Sequence, residues 1–261
     1  MRIALVAIVV VVSAACKDKP AHREQPTAQR EPQRAPAAPQ LETPEIEGPG
    51  LVPAVGVGPT ITVGKTEITL GDQRVMTIGP EGTLDPARLV ALTRLLETKA
   101  TTDAPVGIAL DAAVPYRRLG RLLDALRRGG FRNLALLAGG GQMIPIQLPD
   151  SAEVNGAGLR PVVTLQRERL TLWSASGEEG TKSQPRLSLE VGADPSFAPV
   201  TRALAAIVAR RWPDGKRADI DRTIIIQLDG DQPARVLLEL LAAVRADGSR
   251  ELFPNIFLAG G

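Results

Sequence analysis

Pro105-Val-Gly-Ile-Ala-Leu-Asp111, continued through Val114-Pro115-Tyr116, the Leu/Arg run to Arg128, Gly129-Gly130 and Leu134-Ala-Leu-Leu-Ala-Gly-Gly140, is the stretch whose reading decides the fold. It opens as an apolar run of strand length ending in an acid. A helix follows, with Leu119, Leu122, Leu123 and Leu126 at the spacing of a buried stripe, stopped by two glycines ahead of a second apolar strand. The same pattern returns near the C-terminus. Thr223-Ile-Ile-Ile-Gln-Leu-Asp229 leads through Pro233 into a helix carrying Val236, Leu237, Leu240, Leu241 and Val244, and then into Ile256-Phe-Leu-Ala-Gly-Gly261. Asp111 and Asp229, and Pro115 and Pro233, share one offset (229 − 111 = 118; 233 − 115 = 118), which also superposes Ile108 on Ile226, Arg117 on Arg235 and Leu119 on Leu237. One unit therefore occurs twice.

Working outward, the first unit spans residues 59–149. Thr60-Ile-Thr-Val63, Thr66-Glu-Ile-Thr-Leu70 and Arg74-Val-Met-Thr-Ile78 alternate apolar and polar residues, with Gly64-Lys65 and Gly71-Asp72 as turns, and read as short antiparallel strands. Asp85-Pro86 caps and starts a helix whose inner face is Leu89, Leu92, Leu95 and Leu96. Met143 to Leu148 reads as an edge strand. The second unit, residues 159–261, repeats the order: strands Val162–Leu165, Leu170–Trp173 and Leu187–Val191, a helix from Ser196 to Arg211, then the quoted strand, helix and strand. The Gly/Ser/Glu-rich loop Ser174–Gln184 reads as mobile, and residues 150–158 as a short linker. The expected class is α+β, in two tandem domains, each a mixed sheet with two helices packed on one face.

Bulk properties narrow the chemistry. Aromatic residues make up 3% of the chain, which leaves few stacking platforms for nucleic-acid bases, and a net charge of +2 implies no polyanion partner. The only cysteine, Cys16, and the only histidine, His22, both lie outside the two units, so no zinc site and no Ser-His or Cys-His catalysis is expected, and no cofactor. Pro59-Thr-Ile-Thr-Val-Gly64-Lys65-Thr66 approximates a phosphate-binding loop, but Pro59 replaces the first glycine and a strand follows where a helix is needed. Asp111 and Asp229 suggest a carboxylate pair, yet each sits where it would cap or bond in the turn leading to Pro115 and Pro233.

Local charge supplies the candidate binding residues. Arg117, Arg118 and Arg121, with Arg127 and Arg128, give the first Pro-started helix an unusually basic face, and Tyr116 stands at its start. Two readings stand: a solvated face whose last arginines complement the helix dipole, or a site for an anionic ligand or partner. The second copy has Glu239 where the first has Arg121 (239 − 121 = 118), so the first is favoured for an anion.

At the N-terminus, Met1-Arg2, the apolar run from Ile3 and Ser13-Ala14-Ala15-Cys16 form a signal peptide over residues 1–16, too short to span a membrane that needs about 20 apolar residues. The small residues before Cys16 resemble the lipobox of bacterial lipoproteins, which implies lipidation at Cys16 and a location in the cell envelope, facing the periplasm; ordinary secretion and an uncleaved anchor are the alternatives. Ser13 departs from the Leu usual there. Residues 17–58, rich in Pro, Ala, Gln and Glu, read as a disordered tether.

The stretch from Ile61 to Gly140 resembles the periplasmic domain of the ExbD/TolR family of biopolymer-transport proteins. The resemblance lies in Ala104-Pro-Val-Gly-Ile-Ala-Leu-Asp111, Val114-Pro115-Tyr116, Leu119-Gly-Arg-Leu-Leu-Asp-Ala-Leu126 and Gly130-Phe-Arg-Asn-Leu-Ala-Leu136. It implies a periplasmic module that dimerises and binds partner proteins or peptidoglycan. Members of the family carry a transmembrane helix with a proton-coupling aspartate, whereas Ile3 to Ala15 holds no acidic residue, so stator function does not carry over. The expectation is a non-enzymatic envelope lipoprotein that binds peptidoglycan or envelope proteins of an ExbB/TolQ-type system, as a homodimer or with its two units paired. An accessory motor subunit is the alternative of the same ancestry, and a cell-wall hydrolase the alternative of another class.

Overall fold

The structure, a computed structural model, describes residues 41–48, 50–79, 81–100, 104–148, 159–192, 195–213 and 222–259. The expected signal peptide, Cys16, the tether up to residue 40 and the linker 150–158 lie outside the described residues. None of the described helices is long and apolar enough to cross a membrane.

The fold is mixed α/β, with one large mixed sheet and four α-helices among the described residues. After the short β1 (Val52–Pro53), the first half runs β2 (Thr60–Val63), β3 (Glu67–Leu70), β4 (Gln73–Thr77), α1 (Pro86–Lys99), β5 (Val106–Leu110), α2 (Tyr116–Arg128), β6 (Asn133–Ala138) and β7 (Gln142–Gln147). The second half runs β8 (Pro161–Gln166), β9 (Arg169–Ser174), β10 (Leu187–Glu190), α3 (Ala198–Arg211), β11 (Thr223–Leu228), α4 (Ala234–Arg245), the ribbon β12 (Ala246–Asp247) with β13 (Arg250–Glu251), and β14 (Asn255–Leu258).

The elements form where local chemistry directs them. The Asp85 carboxylate accepts a hydrogen bond from the Ala87 amide at 2.9 Å, and Pro86 supplies a preset φ at the first helical position of α1. Strand alternation divides the sheet into two faces. Ile61, Val63, Ile68, Leu70, Ile108 and Leu110 join Leu92, Leu96, Leu119 and Leu122 of the helices in one core. Each such side chain, fully buried, contributes about 1.5–3 kcal/mol. On the opposite face of the second half, Val162, Ile225 and Phe257 form a separate small cluster.

Strand order is β10-β9-β8-β11-β14-β7-β6-β5-β2-β3-β4, with β1 paired to β7. The two units thus share one sheet, and their β2–β3 and β2–β5 pairings match β8–β9 and β8–β11 in register. Thr60 faces Gly107 and Val63 faces Leu110; in the second half, with the strands shifted by 102 and 118, Val162 faces Ile225 and Leu165 faces Leu228 (162 − 60 = 102; 225 − 107 = 118). Likewise Ile61 pairs with Leu70, and Val163 with Leu172.

Three expectations change. Met143 to Leu148 is no edge: β7 is antiparallel to β6 and parallel to β14, because the second half adds to its free side at Phe257 and Gln147. The tether reading fails from residue 41 onward, since the Glu42 and Pro44 carbonyls accept from the Ala112 and Gly139 amides, Ile46 is buried, and Val52 pairs with Met143. Backbone hydrogen bonding, invisible in a Pro/Glu composition, holds it down. The loop Ser174–Gln184 closes around the buried Glu179 instead of hanging free.

Candidate functional site

The halves meet where their Pro-started helices begin. Pro115 and Pro233 form an antiparallel bridge. The Tyr116 amide donates to Gln232 O at 2.7 Å and the Ala234 amide to Val114 O at 2.8 Å; the Arg117 amide donates to Gly230 O at 2.8 Å and the Arg235 amide to Ala112 O at 3.1 Å. Each bond maps onto its counterpart under the 118 offset (234 − 116 = 118; 232 − 114 = 118). Such reciprocity marks an approximate two-fold axis. Helix starts leave orphan amides, and here each helix satisfies its own with carbonyls from the other half. Gly230 permits the approach: a Cβ there would stand 3.0 Å from the Cβ of Arg117.

The structure disperses the basic residues that the sequence grouped. Arg117 leaves the helix face to pair with Asp231 across the axis, both partners exposed. Arg118 is buried at 8% exposure; its Nη1 donates to Gly64 O at 3.0 Å and Lys65 O at 3.2 Å, closing the β2–β3 turn. Burial, then the charge of Arg117, lowers its pKa, and Asp111 opposes them. Arg118 is therefore no surface ligand residue: its donors are directed inward at backbone carbonyls. Only Arg121 of the three lines the furrow between α1 and α2.

Tyr116 is likewise a structural residue and not an exposed contact. It is 1% exposed, and its hydroxyl donates to Ala259 O at 2.6 Å, tying the start of α2 to the end of β14. Burial, with the nearby Asp124, pushes its phenol up to about 12. Asp111, almost wholly buried, accepts from the Ala113 amide at 3.0 Å and lies 3.7 Å from Lys65 Nζ, which also reaches Glu42 at 3.3 Å. Those partners raise the Lys65 pKa, the Glu42 hydrogen bond foremost, then the charge of Asp111. Asp229 accepts from the Arg167 amide at 3.3 Å. The two aspartates bond in separate turns, one in each half.

Sequence reasoning missed two features. Glu179, with a fully buried carboxylate, is held by Arg186 at 2.5 Å and by Arg210, while Arg211 pairs with the neighbouring Glu178. Burial alone would raise its pKa; the Arg210 hydrogen bond and the charges of Arg186, Arg210 and Arg211 outweigh it and hold the carboxyl below its usual range. A Glu-Glu pair between glycines and a double arginine ending the following helix, α3, were the available signal. The second is the α1–α2 furrow, about 500 Å³, with Leu84, Leu89 and Val90 in its wall and Arg94, Arg121 and Arg128 beside them. Arg94 and Arg128 sit on different helices, and only packing brings them together.

No protein-family model matches the chain, and no curated protein matches it. Among solved structures the chain is similar to a protein of Bacteroides thetaiotaomicron described as having an actin-like ATPase fold and unknown function, at 9% identity over 77% of this chain and 90% of that chain, with a TM-score of 0.22. A TM-score of 0.22 carries no argument for fold or activity.

Proposed function

We propose that this chain is a non-enzymatic, lipid-anchored binding module of the ExbD/TolR biopolymer-transport type, which holds peptidoglycan or a partner protein on the periplasmic side of the cell envelope. Two tandem copies of the ExbD/TolR-like unit, paired within one chain, would stand in for the dimer that such modules form. The observation that supports this is the reciprocal pairing at Pro115 and Pro233. A repeat that places the two Pro-started helices about an axis presents both helix pairs from one rigid body, as a scaffold requires. Proton coupling is no part of the proposal, since Ile3 to Ala15 holds no acid.

The test is a pair of retention measurements on the full chain: co-sedimentation with purified peptidoglycan sacculi, and co-purification from membranes with motor subunits of the ExbB or TolQ type. Saturable retention on sacculi, or recovery of the motor subunits, supports the reading. Recovery of the motor subunits alone would favour the accessory-subunit form. Retention on neither would remove the proposal, and release of soluble wall fragments from sacculi would replace it with hydrolysis.

A further inference from the structure

The two halves repeat the furrow between their helices as well as their strands. Arg121, Asp124 and Arg128 on α2 correspond to Glu239 and Ala242 on α4 and to Ala246 just after it (239 − 121 = 118), and each set lines the furrow of its own half. Leu89 and Val90 on α1 correspond to Thr201 and Arg202 on α3 (201 − 89 = 112), again one pair in each furrow. The volumes agree, at about 500 and 510 Å³.

Their surroundings differ. Glu47 and Gly48, from the segment ahead of β1, line the second furrow. A Cβ on Gly48 would lie 3.3 Å from the Ala242 Cβ, and one on Gly50 only 2.4 Å from Ala242 O, so the chain lies directly against α4. The segment, Glu42-Thr-Pro-Glu-Ile-Glu-Gly48, is acidic; its Glu42 and Pro44 carbonyls accept from the Ala112 and Gly139 amides, and its Glu47 and Gly48 reach the furrow. The first furrow has no such neighbour among the described residues: α1, Leu84 before it, α2 and Gly129 line it.

The chemistry left exposed in the first furrow is the complement of such a segment. Val90 is 51% exposed, one of two large hydrophobic side chains so exposed among the described residues. Arg94, Arg121 and Arg128 have no carboxylate partner among the described residues, whereas Asp124 is already paired with Arg127 at 3.1 Å. Glu97 also lines the furrow, one carboxylate against these three arginines, so the net uncompensated charge there is positive.

We infer that the α1–α2 furrow is a docking site for an acidic peptide of a partner protein, selected by the unpartnered arginines on its rim. This rests on the binding-module reading and names the partner's chemistry. Carboxylates of the peptide meet Arg94 and Arg121, and an apolar side chain of the peptide covers Val90. Exposed ion pairs contribute little each, so covering the exposed Val90 adds to affinity, and charge selects the peptide.

The probe is a fluorescent peptide of the sequence Leu41 to Gly50, titrated onto the full chain beside a version with Lys in place of each Glu. Saturable binding is expected for the acidic probe, about tenfold weaker to the Arg94→Glu/Arg121→Glu protein and unchanged in Arg202→Glu. Both arginines are exposed, so the fold survives; Val90→Asn, which keeps the charges, should also weaken binding. Absence of saturable binding, equal binding of the Lys version, or full affinity in Arg94→Glu/Arg121→Glu would overturn the site. Self-association of the unliganded chain that the double variant abolishes would assign the furrow to a second copy and overturn it equally. Loss of probe binding with retention on sacculi or motor subunits intact sinks this inference alone, and the reverse result sinks only the envelope reading.

Discussion

Pro115 and Pro233 face each other across an antiparallel bridge at the axis about which the two halves repeat. Neither proline has an amide to donate, so the bonds come from the residues after them, Tyr116 and Ala234, to Gln232 and Val114. Proline fixes φ near −65°, which suits the step from extended backbone into a helix. Replacing Pro115 with Gly should free the unfolded chain and loosen the crossing, at a cost of about 1 kcal/mol. Urea unfolding measures it, and Pro233→Gly should match it within error if the axis carries both halves equally.

Tyr116 makes the chain's spectroscopy informative, because it is the only tyrosine. Its phenol is raised from 10.0 to about 12, so the folded state favours the neutral form. The contribution to stability is complete below pH 10 and is lost as pH rises toward about 12. An absorbance titration should show no tyrosinate step near 10 while the protein stays folded. Tyr116→Phe, which leaves Ala259 O without its donor, should cost about 1 kcal/mol.

Arg118 should separate from its neighbours in mutation. Arg118→Ala removes a charged donor from two carbonyls of the β2–β3 turn, Gly64 O and Lys65 O, and should destabilise by about 1.5–3 kcal/mol. Arg117→Ala breaks only the exposed pair with Asp231, and Arg121→Ala breaks none among the described residues, so each should stay within about 1 kcal/mol. Thermal melts of the three single variants distinguish this from a uniformly solvated face, which would give three small effects.

Glu179 predicts an acid sensitivity confined to one loop. Its carboxyl is held below the usual 4.5, so its contribution is present above that value and is lost as pH falls through the lower folded pKa. Glu179→Gln leaves Arg186 and Arg210 facing a neutral amide; because both arginines are a third to a half exposed, the loss should be about 2 kcal/mol, below that of a fully enclosed pair. Proteolysis at Lys182 should quicken in this variant, and in the parent on acidification, before the global melt.

Much of this architecture was legible because its information is local. The apolar stripes of α1 to α4, the Asp85-Pro86 start and the strand alternation all depend on residues a few positions apart, and the 118 offset shows the repeat directly. What escaped depends on partners distant in sequence. Tyr116 reads as a surface residue until Ala259, 143 positions away, accepts its hydroxyl. Met143 to Leu148 reads as an edge until β14 arrives. Arg118 shares its helix with solvent-facing arginines, and only the return of the β2–β3 turn buries it.

Gly50 tests whether the segment before β1 is held as tightly as its contacts imply. It is buried, and any Cβ there would stand 2.4 Å from Ala242 O and 2.9 Å from the Arg245 Cβ, distances at which either α4 or the segment must move. The helix is anchored by Val236, Leu237, Leu240 and Val244 in the core, so the segment is the part that yields. Gly50→Ala should therefore release the bonds on either side of it, Leu51 to Gly48 and Ala54 to Gly141, together with the β1 pairing to β7. Relief of overpacking of this kind costs about 1–3 kcal/mol when it stays local. Hydrogen exchange should show faster amides at Leu51 and Ala54 while Ile108 and Ile226 in the central strands keep their protection. If all four amides accelerated together, the segment would belong to the same cooperative unit as the sheet, and its separate release would be ruled out.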